Sequence, residues 1–264
     1  MDSNPDFKLS LDMMVHVLRF LDPVNILAMR ATCRFFYRTA ASRSVWIAAL
    51  YRVCEQHGVY KPTYPVEKMT LAELEHAASG PRRFIKFISR SNSGSSKRYT
   101  GPYVTRRYPC RREANQDGLH TASHLALVPG GRFLFTAEGS RPKDAAPASV
   151  CLWDLGYNMH CPANPFPVAT ISIPKMDIPH LSYSPCSHGS EIILAVAGRL
   201  FGINGGRLLI FSIDPLRQPP GFALYHEKSL LDAYSPPRMA LGQSIMVLMS
   251  GKTIYVVNWT EKRG

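Results

Sequence analysis

The sequence predicts an α+β chain of more than one domain, with short N-terminal helices, a helical and basic connector, and an antiparallel all-β region. Three observations carry this. Apolar residues recur at helical spacing between Leu11 and Leu21. Thr70-Leu71-Ala72-Glu73 has the pattern of a capping box, which opens one further helix. From about Leu119 that period gives way to short β-type runs split by Gly, Pro and Ser. The expected divisions are 1–55, 56–118 and 119–264.

The first helix is expected to start at Ser10 as N-cap, with Asp12 favourable toward the dipole of the first turn. Leu11, Met14, Val15, Leu18 and Leu21 share its apolar face, and Leu9 with Met14 occupy the positions of a hydrophobic staple. Asp22-Pro23 restarts the chain as a cap followed by proline at the first helical position, and the second helix offers Ile26 and Leu27. A third face follows in Cys33, Phe36 and Tyr37, and a fourth in Trp46, Leu50 and Val53. A unit this small, apolar on several faces, is expected to need a partner surface to complete its core.

Leu9, Asp12, Leu18 with Leu21, Asp22-Pro23, Cys33-Arg34-Phe35-Phe36 and Trp46 stand in an order and spacing that resemble the F-box, read as three helices. Ser10 departs from the family, which usually has proline there. The resemblance implies docking on the Skp-type adaptor, and through it a cullin, of a Skp–cullin–F-box ubiquitin ligase. The rest of the chain would select an unknown protein substrate. The residues it implies for adaptor binding are Leu9, Leu11, Met14, Val17, Leu18 and Leu21 from the first helical segment. Pro23, Ile26, Leu27, Cys33, Arg34, Phe36 and Trp46 follow from the later ones. Physically this is a helix-in-groove contact with leucine and aromatic anchors. The segment TLAELEHAASGPRRF, read as a helix ended by Gly80-Pro81, resembles the helical connector after the F-box in many fungal F-box proteins. A plain amphipathic helix packed on the preceding helices has the same pattern.

The net charge is +12, and ten of the cations lie between Arg82 and Arg112 with no acid among them. Much of that stretch, SRSNSGSSKRYTG, has the composition of a solvated connector. A nuclear-import signal or a patch for an acidic partner are the alternatives. No nucleic-acid module accompanies the charge, so no nucleic-acid partner is expected. No apolar run is long enough to span a bilayer, and the N-terminus lacks a secretory pattern; the expectation is an intracellular protein of cytoplasm or nucleus without a membrane partner. The six cysteines have no paired spacing and read as reduced thiols, with no metal or cofactor implied. Asn258-Trp259-Thr260 is a glycosylation sequon expected to be idle in that setting.

Eleven runs make up the β region: HLALVP, RFLFTAE, VCLWDL, VATISI, HLSYS, EIILAVAG, RLLIFSI, GFALYH, RMALG, SIMVLMSG and TIYVVNW. Runs ending at Gly139, Gly198 and Gly251 are each followed by one closing on a bulky apolar and a small polar residue: Trp153-Asp154, Phe211-Ser212 and Val257-Asn258. The first unit most resembles a WD repeat, so the region resembles a divergent, incomplete β-propeller, with a β-sandwich as rival. The runs make fewer than three four-stranded blades, and the strand TIYVVNW is expected to leave an open, unstable edge from Ser244 onward.

No nucleophile elbow, phosphate loop or dinucleotide fingerprint is present. His120 with His124, His160-Cys161, and Cys186 with His188 read as loop residues rather than metal or thiol–base sites. The expected function is a noncatalytic substrate receptor; the alternative is a β-propeller scaffold not linked to degradation.

Overall fold

The computed structural model describes residues 10–92, 124–139, 147–157, 164–176, 180–186, 190–200, 205–230, 238–242, 244–250 and 252–258. The chain forms two compact units, a helical one from Met1–Val59 with Tyr64–Arg106 and a β one from Tyr60–Thr63 with Arg107–Gly264.

The helical unit contains α1 (Leu11–Leu18), α2 (Pro23–Arg30), α3 (Arg34–Ala40), α4 (Arg43–Gln56), α5 (Leu71–Ala78) and α6 (Gly80–Asn92). Ser10 caps α1, its hydroxyl accepting the Met13 N–H at 3.2 Å. Pro23 occupies the first turn of α2, where its missing N–H costs nothing. Four helices, rather than the expected three, lie between Leu11 and Gln56. The Ala41 and Ser42 N–H groups close back on the Arg38 and Thr39 carbonyls at 3.2 and 3.1 Å, which tightens and ends α3. Ser42 is then extended, and α4 starts afresh. Thr70 and Glu73 form the expected capping box of α5: the Thr70 hydroxyl accepts the Glu73 N–H at 3.3 Å, and the Glu73 carboxylate accepts the Thr70 N–H at 2.7 Å.

The core of this unit runs along α4, where Val45, Trp46, Ala49, Leu50, Val53 and Cys54 are buried. Met14 and Leu18 from α1, Ile26 from α2, and Leu74 with Ala78 from α5 are buried as well. α4 packs on α5 and on α1, and α3 packs on α1 and α2. Arg43 donates to the carbonyls of Val66 and Met69, which holds the segment leading into α5. Arg30 and Glu75 add an ion pair at 2.6 Å. The first four helices therefore do not wait for an outside partner on every face, because α5 covers α4. Gly80-Pro81 ends α5 as expected, but the chain re-enters a helix at once, and the start of the basic stretch is α6 rather than connector.

The β unit has eleven strands among the described residues, one overlapping each of the eleven runs, with β8 running on to Leu230 past the expected end at His226. These are β1 (His124–Leu127), β2 (Phe133–Glu138), β3 (Ala148–Asp154), β4 (Ala169–Ile173), β5 (His180–Pro185), β6 (Ile192–Arg199), β7 (Gly206–Ile213), β8 (Phe222–Leu230), β9 (Arg238–Leu241), β10 (Ile245–Ser250) and β11 (Thr253–Asn258). They form three antiparallel meanders: β1–β4, β5–β8 and β9–β11. The three repeated pairs of runs seen in the sequence are the ladders β2–β3, β6–β7 and β10–β11.

Alternation along the strands decides how the sheets stack. Phe133, Phe135, Val150 and Leu152 of the first sheet share a core with Ile192, Leu194, Val196 and Phe211 of the second. The opposite face of the second sheet, with Ile193, Ala195, Leu208 and Ile210, shares another core with Met246, Leu248 and Val257 of the third. The inner strand β6 of the middle sheet is thus buried on both faces, which is why Ile192–Gly198 is continuously apolar instead of alternating. On the third sheet the far face, with Ile245, Val247, Met249, Ile254 and Val256, is exposed. The first strands of the sheets are neighbours, β1 beside β5 and β5 beside β9. Among the described residues the sheets do not close into a barrel or a complete propeller, and three stacked sheets do not make the rival two-sheet sandwich.

Tyr60–Thr63 joins this unit through Tyr60, whose ring packs edge-on against Phe133 with centroids 5.8 Å apart. Its N–H donates to the Pro129 carbonyl at 3.2 Å, and its hydroxyl donates to the Ser190 carbonyl. Burial first, and the Asp214 carboxylate second, push this hydroxyl above the ordinary tyrosine range and keep it a donor. Gly130 sits at φ 109° in the turn after β1, and a Cβ there would meet the Thr63 side chain at 2.6 Å. Both the backbone angle and the close approach require glycine.

Candidate functional site

The candidate site is the surface of α1–α3, built from apolar residues that the core of their own unit leaves uncovered. Of the residues the sequence marks for adaptor contact, Leu11, Val17, Leu27, Cys33 and Arg34 are exposed. Leu21, Pro23 and Phe36 are half-buried. Met14, Leu18, Ile26 and Trp46 are buried in the unit itself. Leu9 lies outside the described residues, and with it the expected staple to Met14.

Four further exposed residues of this segment stand outside the expected adaptor-contact set, although Phe35 and Tyr37 belong to the F-box-like cluster and the third apolar face. Met13, Phe35 and Tyr37 are exposed, and Phe20 is 70 % exposed. Phe20 lies just past the end of α1 and off the face set by Leu11, Met14 and Leu18; its ring packs edge-on against His16 at 5.2 Å. Arg52 of α4 fixes that turn by donating to the carbonyls of Phe20, at 2.7 Å, and Arg19. At the other end, the Arg30 guanidinium lies 5.5 Å from the Tyr37 ring centroid, a cation–π contact. The Phe36 backbone N–H favours the Cys33 thiolate and holds that exposed thiol below its ordinary pKa. Such a surface, apolar with charged residues at its edge, suits burial against another protein.

The β unit holds the remaining candidates. The Trp153-Asp154 pair is structural. Trp153 donates through Nε1 to the Thr136 hydroxyl at 3.0 Å, and Asp154 accepts from Arg132 at 2.8–3.2 Å and from the Gly156 N–H at 2.9 Å. His120, His160, Cys161 and His188 lie outside the described residues. Cys186 is half-buried, its backbone N–H bonded to the Glu191 carbonyl at 2.9 Å. No group of three or more metal-ligating side chains occurs among the described residues. No helix among them is long and apolar enough to cross a membrane.

His124 lies in β1 and packs against His180 of β5 with the rings tilted, their centroids 4.5 Å apart. Burial, and then the neighbouring His124, hold His180 below the ordinary histidine value of 6.5. The unfolded chain therefore takes up this proton at higher pH than the folded one. Stability of the β unit is expected to fall as pH drops below about 6.5 and to level off once folded His180 is also protonated. Thermal midpoints across that range check this, and His180→Gln should flatten the slope; an unchanged slope would exclude His180 as its source.

Comparison with known proteins agrees with the geometry. No curated protein matches the chain. The F-box domain family matches residues 7–48, the span that contains α1, α2, α3 and the first turns of α4. The helical surface just described thus belongs to an F-box domain, a module that implies binding of a Skp-type adaptor and a role in Skp–cullin–F-box ubiquitin ligases.

Proposed function

We propose that this chain is the substrate-recognition subunit of a Skp–cullin–F-box ubiquitin ligase, acting in the cytoplasm or nucleus. Its F-box binds the adaptor, and through it the cullin, while the β region, about 119–264, holds a target protein. The observation that carries this reading is the F-box at residues 7–48 with Leu11, Val17, Phe20 and Leu27 open to solvent. The subunit contributes by proximity, keeping the target near a ubiquitin-charged enzyme bound elsewhere on the complex. No reacting group on this chain is needed for that.

The β region is read as a divergent, incomplete WD-repeat-like propeller. Three meanders stacked face to face, with their first strands side by side, support this reading. The loops that connect such strands are where a target would be held.

Phe20→Ala with Leu27→Ala is expected to weaken adaptor binding by about tenfold or more, because exposed anchors are lost. The melting temperature should hardly move. Titration of purified adaptor against full-length parent and variant checks this, and full binding by the variant would remove these two residues from the contact. Adaptor and cullin should co-purify with the chain, and a target should accumulate with them when the proteasome is inhibited. Recovery of target without adaptor or cullin would instead favour a scaffold unconnected with degradation.

A further inference from the structure

Helix α6 is amphipathic in a way that its place in the helical unit does not use. At 100° per residue, Phe84, Ile85, Phe87 and Ile88 fall on one half of the helix and Arg82, Arg83 and Lys86 on the other. Every side chain from Arg82 to Ser89 is exposed, Phe84 at 63 % and Ile85 at 61 %. The helix is anchored by its polar side. Arg83 reaches back to α5, its guanidinium 2.6 Å from His76 Nδ1 and donating to the His76 carbonyl at 3.0 Å. The Arg83 N–H closes the first turn on the Ser79 carbonyl at 3.1 Å. That leaves Phe84 and Ile85 directed into water, at a cost that only a covering surface recovers.

The charge pattern decides what that surface is. The charges on the polar half are all positive, and the next acid in the sequence after Arg82 comes only beyond Arg112. A groove in a protein matches such a face only where acids are individually placed. An anionic lipid interface is negative everywhere and needs no register. Low mean hydropathy, Phe and Ile on one side, and Arg and Lys on the other describe a helix that lies in the plane of the headgroups. The sequence offers no membrane partner because no run spans a bilayer; an interfacial helix needs none.

We propose that α6 is a peripheral membrane-binding helix. It lays Phe84 and Ile85 among the acyl chains of an anionic leaflet. Arg82 and Lys86 meet the headgroup phosphates, an attraction that salt weakens. The cations that follow, Lys97 to Arg112, add charge of the same sign without forming part of the site.

The test uses the full chain and co-sedimentation with phosphatidylcholine vesicles, with and without phosphatidylserine. The parent should sediment only with the anionic vesicles. Phe84→Asp with Ile85→Asp should lower its partition coefficient by about tenfold or more, and Arg82→Glu with Lys86→Glu should do the same. Both pairs are exposed, so the fold should survive, as circular dichroism will show. Phe84→Trp should add blue-shifted emission, quenched by brominated acyl chains, above the parent's own signal. Binding that the Asp pair leaves intact would mean adsorption by charge alone and overturn the proposal. Absence of binding to anionic vesicles would also overturn it, leaving an acidic protein groove as the occupant.

Discussion

Trp46→Ala is expected to destabilise the helical unit by about 3–5 kcal/mol, the range for deleting a buried aromatic. Trp46 is 0 % exposed and is the largest side chain in the core along α4. Its Nε1 also donates to the Ala40 carbonyl at 2.8 Å, which satisfies the end of α3 and ties it to α4. The substitution therefore opens a cavity and leaves a buried carbonyl without its donor. Since single domains are stable by only about 5–15 kcal/mol, most of the protection of this unit should go. Hydrogen exchange along α4 in the full-length protein is the measurement, with protection lost at Val45–Val53. Adaptor binding should fall with it, as a consequence of lost order and not of a lost contact. Trp46→Phe should keep part of the packing but not the bond, and cost about 1–3 kcal/mol, less than Trp46→Ala. Undiminished protection of α4 in Trp46→Ala would contradict the packing described for this core.

The second large effect is expected at Phe135 in β2. Its ring is fully buried between the first and second sheets, with Tyr183 and Phe222 rings at 6.1 and 6.5 Å. Phe135→Ala should cost the β unit about 3–5 kcal/mol by the same cavity argument. Val247→Ala on β10 is the internal contrast: Val247 lies on the exposed face of the third sheet, and its loss should stay within about 0.5 kcal/mol. Urea denaturation followed by β-sheet circular dichroism separates the two. A Val247 effect as large as that of Phe135 would mean that the outer face is covered in solution.

Sequence periodicity located the elements better than it located their inner sides. Leu11 and Leu18 are seven residues apart and share a helical face, yet Leu11 is 52 % exposed and Leu18 is buried. Met14, one turn nearer Leu11, is buried as well, and spacing carries no information about which part of a face a neighbour covers. Phe20 is off the apolar face that the spacing of Leu11, Leu18 and Leu21 defines, so the spacing gives no sign of its exposed ring. Gly80-Pro81 was legible as a break but not as a start, because proline is as well suited to the first turn of a helix as to the end of one. The β runs were easier. Their boundaries coincide with Gly and Pro, and the doubly buried β6 declared itself by an apolar run too continuous for a sheet with a wet face. The stacking of the three meanders was only half legible, through the repeat of paired runs, because one sequence does not reveal which sheet faces which.

The four residues Tyr60–Thr63 bear on how the protein can be cut apart or recombined. A fragment begun at residue 119 would lack Tyr60, leaving a vacancy beside Phe133, the Ser190 carbonyl without its donor, and Arg132 without the Pro62 carbonyl it reaches at 3.2 Å. A fragment ended at Gln56 would in turn remove α5, which covers α4. The two modules interleave along the chain, so no single crossover or protease site yields both intact. Grafting this β unit onto a different adaptor-binding domain would have to carry Tyr60–Thr63 along with it.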